Sequence, residues 1–470
     1  MPLLFSPKPW IVQKYGGTSL GKLLFEITSS IIPSYLEHSN VAVVCSAISG
    51  TEKSKGTTSL LIKAIDCAMN ADREGELRET IDVIRDEHLV IIQEMRSSAG
   101  KVVYESVFEE VEVGIRRECE ELRGFLSAAQ TIGELSPRSK DRVVATGEKL
   151  ACLVVVAALM TAAYGEDQAQ QKSAYDDLGP RFFDALVVEI GHRIESCGDS
   201  VPVITGFFGL MPNSMLRSVG RGYSDLCAAM TSVSLSASEL QIWKEVDGIF
   251  TADPRKIPSA RLLATITLEE ASELTYYGSE VIHPFTMDQI RQASIPLRLK
   301  NVKNPSGSGT IIYPSPSGVS TPSTVSVSAS TSTTPPLNAF ISNTNTSISS
   351  FMSANGYYGT SQSRRAPTAL TTKDSIVLVN IQSNRTTKSH GFLAEVFNRL
   401  DALGAVTDLI TSSEQSVSLA LSGLEEEGEV EVERSLGKCG DVQVVRDVAI
   451  VSVIGHKMRN KVGIAGTSLY

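Results

Sequence analysis

From about Pro314 to Thr372 the chain is written almost entirely in Ser, Thr, Pro and Asn, with no periodic apolar pattern. Such a stretch buries too little surface to offset the entropy of ordering it. It predicts a disordered linker over 314–372 and forces the rest of the chain to fold as separate units on either side. A length of 470 residues is in any case too great for one core. A hydrophobic share of 42% with 20% charged residues lets each unit build its own.

The N-terminal unit alternates two periodicities. Trp10 to Lys14 reads as a short strand running into Gly16-Gly17. Asn40 to Ser46 is a continuous apolar run, the kind buried on both faces of a parallel sheet. Val201 to Gly206 and Leu240 to Trp243 read as further strands. Helical patterns lie between them, at about Thr58 to Met69, Glu76 to Met95, Val102 to Ala129 and Lys149 to Ala163. Strands alternating with helices predict an α/β fold of three layers, α/β/α. Ligands in such folds bind at the carboxyl ends of the strands.

Beyond the linker, Ser375 to Gln382 alternates as a strand, and Gly391 to Leu403 carries Phe392, Val396, Phe397 and Leu400 on one helical face. Strands follow at Val406 to Ile410 and Ser416 to Leu421. Next come a helix at Glu425 to Leu436 and strands at Val442 to Val445 and Ala449 to Ile454. That order is ferredoxin-like. A second copy begins after Gly455. The expected domains are therefore 1–313, 314–372, 373–447 and 448–470.

A net charge of −10 argues against a protein that coats nucleic acid, though not against a local anion site. Seven cysteines without a CxxC pair or His/Cys ligand spacing predict a reducing compartment and no structural zinc. The longest apolar run, Leu150 to Ala163, falls short of the roughly 18 residues of a membrane span. Met1 to Trp10 lacks the basic-then-apolar pattern of a signal peptide. The expectation is a cytoplasmic protein with no membrane partner.

Four segments carry chemistry. Gly220-Arg221-Gly222-Tyr223-Ser224-Asp225 packs open backbone, a cation, a hydroxyl and a carboxylate before an apolar helix. Glycines admit a ligand to backbone donors, arginine grips an oxyanion at two points, and a helix N-terminus favours anions. Alone, such a loop reads equally as a polar turn. Lys14-Tyr15-Gly16-Gly17-Thr18-Ser19 sets a lysine beside glycines at a strand end, as phosphoryl transfer requires, although the lysine precedes the glycines. In Ala145-Thr146-Gly147-Glu148-Lys149, read as a helix start, Glu148 suits a substrate ammonium or merely the helix dipole. Trp243 to Arg255 combines a Val246-Asp247-Gly248 turn, an aromatic at Phe250 and the basic Arg255, a surface for a nucleotide or else a hairpin-like turn. In Tyr276 to Pro284, which reads as helix, break, helix, His283 reads as a structural histidine.

Together these segments resemble the aspartate kinases of the amino-acid kinase family, the fungal form most closely. The resemblance extends through Val44-Cys45-Ser46-Ala47, Gly56-Thr57-Thr58, Glu134 to Arg142, Thr205 to Gly209, Glu269 to Thr286, Asn301 to Pro305 and Ser389 to Leu393. It covers nearly the whole chain outside the linker. It implies a carbamate-kinase-like domain followed by ferredoxin-like ACT domains. It also implies transfer of the ATP γ-phosphoryl group to the side-chain carboxylate of L-aspartate, the entry step towards threonine and methionine. By resemblance, Lys14 and Asp225 are catalytic, and Thr58, Glu148, Arg221 and Ser224 bind aspartate. Gly16, Gly17, Ser19, Lys244, Glu245, Phe250, Arg255 and Glu280 then bind ATP, with Mg2+ bridging its phosphates. The ACT region implies a threonine effector and a homo-oligomer.

Three departures set further expectations. Only Ser468-Leu469-Tyr470 follow the Gly463 to Thr467 segment, so the second ACT copy is expected to be incomplete and threonine inhibition weak. Tyr164 to Gly179 is shorter and more polar than the family's strand there, so one edge of the substrate pocket is expected to differ. Position 48, often arginine in relatives, is isoleucine. The alternative is a non-catalytic paralogue that binds an amino acid through its ACT region. The retained Lys14, Glu148, Arg221 and Asp225 favour the enzyme.

Overall fold

The computed structural model describes residues 8–50, 55–98, 105–162, 180–209, 214–215, 222–277, 282–313, 367–383, 391–413, 415–424, 426–455, 458 and 462–463. They belong to two units, the first Met1–Phe250, Ala260–Ser272 and Val281–Arg364, the second Thr251–Ser259, Glu273–Glu280 and Arg365–Tyr470. The predicted linker up to 366, the divergent 164–179 segment and residues 464–470 lie outside the described residues.

The first unit opens with β1 (Trp10–Tyr15) and α1 (Gly17–Glu26). One π turn leads on to α2 (Ile32–Leu36) and β2 (Asn40–Cys45). Four helices follow: α3 (Thr57–Ala68), α4 (Glu74–Ser98), α5 (Glu105–Ile132) and α6 (Pro137–Ala162). Then come α7 (Pro180–Glu195), β3 (Val203–Thr205), α8 (Tyr223–Ser234), β4 (Glu239–Lys244) and β5 (Thr265–Thr267). Next are α9 (Leu268–Tyr276), which begins in this unit, α10 (Pro284–Ala293), β6 (Leu297–Asn301) and β7 (Thr310–Tyr313). The sheet order is β3-β2-β1-β4-β6-β7-β5. Its first five strands are mutually parallel, whereas β7 runs antiparallel to β6.

Alternation along the strands assigns the two faces. Tyr15, Val41, Val43 and Cys45 join the core made with α1 to α6. Lys14, one residue out of step with Tyr15, faces the layer containing α8 and meets its Asp225. Leu186 and Ile190 of α7 pack with Leu226 and Met230 of α8 in a second cluster. The result is the expected α/β/α sandwich.

The helix through Glu148 starts earlier than the residues suggest. It runs from Pro137, with Ser136 Oγ accepting from the Ser139 amide at 3.1 Å as its cap, so Glu148 sits mid-helix rather than at a start. Gly147 disguises this by looking like a break. Its role is packing, since a Cβ there would lie 3.0 Å from each of Ala47, Leu61 and Thr57. α6 is long and apolar enough to cross a membrane, yet 67% of that window is buried, as befits a core helix. β6 escapes the sequence reading because Arg298 and Lys300 interrupt its apolar pattern. In the fold Arg298 pairs with Glu239 at 2.7 Å and Lys300 lies over the Trp243 ring at 5.0 Å.

The second unit contains β8 (Ala369–Ser383), α11 (Phe392–Ala402), β9 (Val406–Ser412), β10 (Ser416–Ser422), α12 (Glu426–Leu436) and β11 (Gly440–Ile454). Its antiparallel sheet has the order β11-β8-β10-β9, which is the ferredoxin-like arrangement. Val379 and Ile381 pack under Val396, Leu400, Val432 and Leu436.

Two boundaries move. Residues 369–372, expected in the linker, are strand, because Ala369 to Thr372 pair with Val451 to Ile454. Val442 to Val445 and Ala449 to Ile454, expected as separate strands, form the single β11, so the expected 447/448 boundary falls inside it. Positive φ at Asp447 (56°) and Ser375 (57°) accompanies the register shifts in the β8–β11 pairing between Val445 and Ile450. The segment Thr251–Ser259 counts with this unit. Leu370 N–H donates to Thr251 O at 2.8 Å and Lys256 Nζ to Thr372 Oγ1 at 2.9 Å.

Candidate active site

Three helices begin beside the loop that leaves β2. α1 follows β1 directly and presses so close that a Cβ on Gly17 would lie 2.0 Å from the Ala47 carbonyl oxygen. α3 is tied through Thr57 N–H to Ile48 O at 3.1 Å. α8 is tied through Ser224 Oγ, 2.9 Å from Ser46 Oγ. The first N–H groups of a helix have no intrahelical acceptor, and its dipole is positive at that end. Three such ends on one loop make an electropositive corner at the carboxyl ends of β1 and β2.

Lys14 adds a full charge there. It is buried, and its Nζ lies 2.6 Å from Asp225 Oδ1. Asp225 is the third residue of α8, delivered by Gly222 in the left-handed conformation (φ 97°). A side chain at Gly222 would be strained and would meet His283 Cβ at 3.2 Å. Burial works to raise the Asp225 carboxyl, but the charges of Lys14 and Lys244 overcome it and hold the group below its ordinary range. Asp225 is therefore an anion at neutral pH. Gly16 caps α1, Ser19 is buried in its first turn, and Thr58 is half-buried in the first turn of α3.

Glu148 approaches the same corner from α6. It is 1% exposed and takes hydrogen bonds from Phe207 N–H and the Tyr223 hydroxyl. Gly206 leaves it room, because a Cβ there would fall 2.5 Å from Ser224 Cβ and 3.1 Å from Glu148 Oε1. Burial pushes the carboxyl up to about 8, against the pull of Tyr223, Lys14 and Phe207 N–H. Its Oε2 has no hydrogen-bond partner among the described residues. A buried carboxyl with an oxygen to spare is chemically suited to an ammonium, whose arrival would expel the carboxyl proton.

A second group of side chains surrounds the ends of β4 and β6. Asp247 accepts from Asn301 Nδ2 at 3.0 Å and Asn304 Nδ2 at 3.2 Å, beside an open cavity of about 210 Å3 that Phe250, Leu262 and Gly309 also line. Glu245 lies between Lys22 (3.7 Å) and Lys303 (3.5 Å). Lys244 ends β4 on the Lys14 face, and its charge reaches Asp225.

The sequence-predicted residues thus divide. Lys14, Gly16, Gly17, Ser19, Thr58, Glu148, Ser224, Asp225 and Lys244 belong to the corner, while Glu245 and Phe250 belong to the β4 end. Arg255 belongs to the second unit, exposed and paired with Asp253 at 2.9 Å. Arg221 and Glu280 lie outside the described residues. His283 caps α10 by accepting the Phe285 amide, in keeping with a structural histidine. Three contributors were missed. Ser46 was readable as the first residue past a buried strand. The Tyr223 hydroxyl lay in a loop already singled out. Asn304 belonged to a segment noticed only for its resemblance.

Residues 9–301 match the amino acid kinase family. The chain is 44% identical to an aspartokinase of Candida albicans over 97% of its own length and 81% of that protein. It is 41% identical to an aspartokinase of Saccharomyces cerevisiae, covering 99% and 86%. Among solved structures, E. coli aspartokinase III in complex with lysine and aspartate superposes with a TM-score of 0.69 at 24% identity, covering 98% of this chain and 91% of that one. At that identity the match speaks for the fold alone.

Proposed function

The chain belongs to the amino acid kinase family and, within it, to the aspartate kinases, and from that premise we propose the division of labour at its site. The γ-phosphoryl group of ATP passes to the side-chain carboxylate of L-aspartate, giving 4-phospho-L-aspartate for the threonine and methionine branch. Two anions must meet, so catalysis consists chiefly of positioning and neutralisation.

Lys14 holds the transferring phosphoryl oxygens, and the first N–H groups of α1 at Gly16-Gly17 and Ser19 share their charge. Asp225 keeps Lys14 aimed. Glu148 takes the ammonium of aspartate, Arg221 its α-carboxylate, and Ser224 and Thr58 donate hydrogen bonds to it. Lys244, Glu245 and Phe250 form the nucleotide side of the first unit, while Arg255 and Glu280, ATP ligands by resemblance, belong to the second. Mg2+ would be held largely by the ATP phosphates, whose hard oxygens suit it. The second unit is read as an ACT-type sensor of threonine in a cytoplasmic homo-oligomer.

The observation that carries this reading is the buried Lys14–Asp225 pair at three helix N-termini, with Glu148 facing it. An ATP- and Mg2+-dependent hydroxamate assay with L-aspartate tests it. Turnover well above a Lys14→Ala control is expected, and turnover equal to that control would refute it.

A further inference from the structure

Tyr223, Ser224 and Asp225 are consecutive at the start of α8, and each is tied to a different element. Asp225 reaches Lys14 on β1, Ser224 reaches Ser46 after β2, and Tyr223 reaches Glu148 on α6. Successive helical residues point about 100° apart, so a single first turn can serve three directions. The Tyr223 contact differs from the others because it joins the two helix layers. α8 lies on the Lys14 face of the sheet. α6 lies on the opposite face, where the thiol of its Cys152 is hydrogen-bonded to that of Cys45, the register partner of Tyr15. Glu148 and Tyr223 therefore come from opposite layers and meet over the strand ends.

We propose that Tyr223 is a positioning residue for the acceptor subsite, its phenol fixing the Glu148 carboxylate so that Oε2 faces the ammonium of the bound amino acid. The inference rests on the reading of Glu148 as the ammonium ligand. A glutamate side chain has several rotatable bonds, and holding its carboxylate in one orientation takes donors at fixed points. Phe207 N–H is one such donor. The phenol is the other, and it is well anchored, because its ring is buried in the cluster that contains Leu186, Ile190, Met215, Leu226 and Met230. The phenol also stays a donor. Burial and the nearby Glu148 and Asp141 charges raise its pKa well above the ordinary tyrosine range. Around Glu148 the other ionisable groups are Lys14 from β1, Cys152 on α6 and Cys227 on α8. A hydrogen bond with Cys45 and burial raise the Cys152 thiol and burial raises that of Cys227, so both stay neutral, and against the burial of Glu148 itself it is Tyr223, Lys14 and Phe207 N–H that favour the charged carboxylate.

Tyr223→Phe removes the donor and keeps the ring. Expected are a KM for aspartate raised about tenfold, with the KM for ATP and kcat nearly unchanged. The acidic limb of the kcat/KM profile for aspartate should move up by about one pH unit, because the lost donor favoured the charged carboxylate. In a Glu148→Gln background the same substitution should add nothing further. An unchanged aspartate KM and pH profile in Tyr223→Phe, with Glu148→Gln still impaired, would overturn the inference alone. Equal losses for both substrates in both backgrounds would also overturn it, as a general structural effect. An unimpaired Glu148→Gln would overturn the underlying reading of Glu148.

Discussion

β1 and β4 treat polar side chains in opposite ways on their two faces. On one face Lys14 and Lys244 sit with Asp225 at the strand ends, and just beyond them one oxygen of Glu148 has no hydrogen-bond partner among the described residues. On the other face Gln13 Nε2 and Trp243 Nε1 both donate to Gln241 Oε1, at 3.1 and 3.2 Å. Gln241 Nε2 donates to Glu239 at 2.7 Å, and Tyr15 OH donates to Gln13 at 3.0 Å. Lys300, in register beside Trp243 on β6, donates to Tyr35 OH at 3.0 Å beneath two aromatic rings. The far face is a closed network that holds the sheet, whereas the near end leaves one oxygen of Glu148 without a hydrogen-bond partner among the described residues. Burial alone does not separate the two, since Lys14 and Lys300 are each 8% exposed.

Substitutions on the two faces should accordingly fail in different measurements. Short of removing Lys14 itself, the largest effect is expected at Asp225. Asp225→Asn leaves Lys14 without its counter-charge, and kcat should fall about 10²- to 10³-fold in the hydroxamate assay with little change in melting temperature. Glu148→Gln comes next, raising the KM for aspartate by about 10-fold or more while sparing that for ATP. On the far face, Gln241→Leu strands the Gln13 and Trp243 donors. It should cost about 1–3 kcal/mol in urea unfolding and leave kcat within about twofold.

The smallest effect is a pH dependence at Lys300. Burial lowers its ammonium to about 8, below the value of about 10.4 that an unfolded lysine has. Charging it therefore costs the folded state. That cost is fully present below pH 8 and is relieved as pH rises from 8 towards 10.4, where the unfolded chain binds the extra proton. The urea midpoint of the wild type should gain on that of Lys300→Met across this range.

The near end was more legible in the sequence than the far face. Lys14, the glycine pair and the Gly222 to Asp225 turn are contiguous motifs in which charge and flexible backbone stand side by side. Glu148 was found but misplaced, because Gly147 looks like a helix break and only the neighbouring Ala47, Leu61 and Thr57 explain it. The far-face network was invisible. Its members alternate with apolar residues on three strands, and pairing Gln13 with Gln241 requires a parallel register across 228 positions of sequence. β6 was lost for the same reason, since its Arg298 and Lys300 read as surface charges until Glu239 and Trp243 are placed beside them. In the second unit, the threonines of residues 371–372 blended into the Ser/Thr-rich stretch and hid the first half of β8.

The same substitution on the two faces tests the division most directly. Lys14→Met and Lys300→Met each remove one buried ammonium from one sheet. In parallel hydroxamate assays and urea titrations at pH 7, Lys14→Met should abolish turnover while staying folded. Lys300→Met should keep wild-type turnover and be at least as stable as the wild type. Turnover retained in Lys14→Met, or lost in a folded Lys300→Met, would contradict the account.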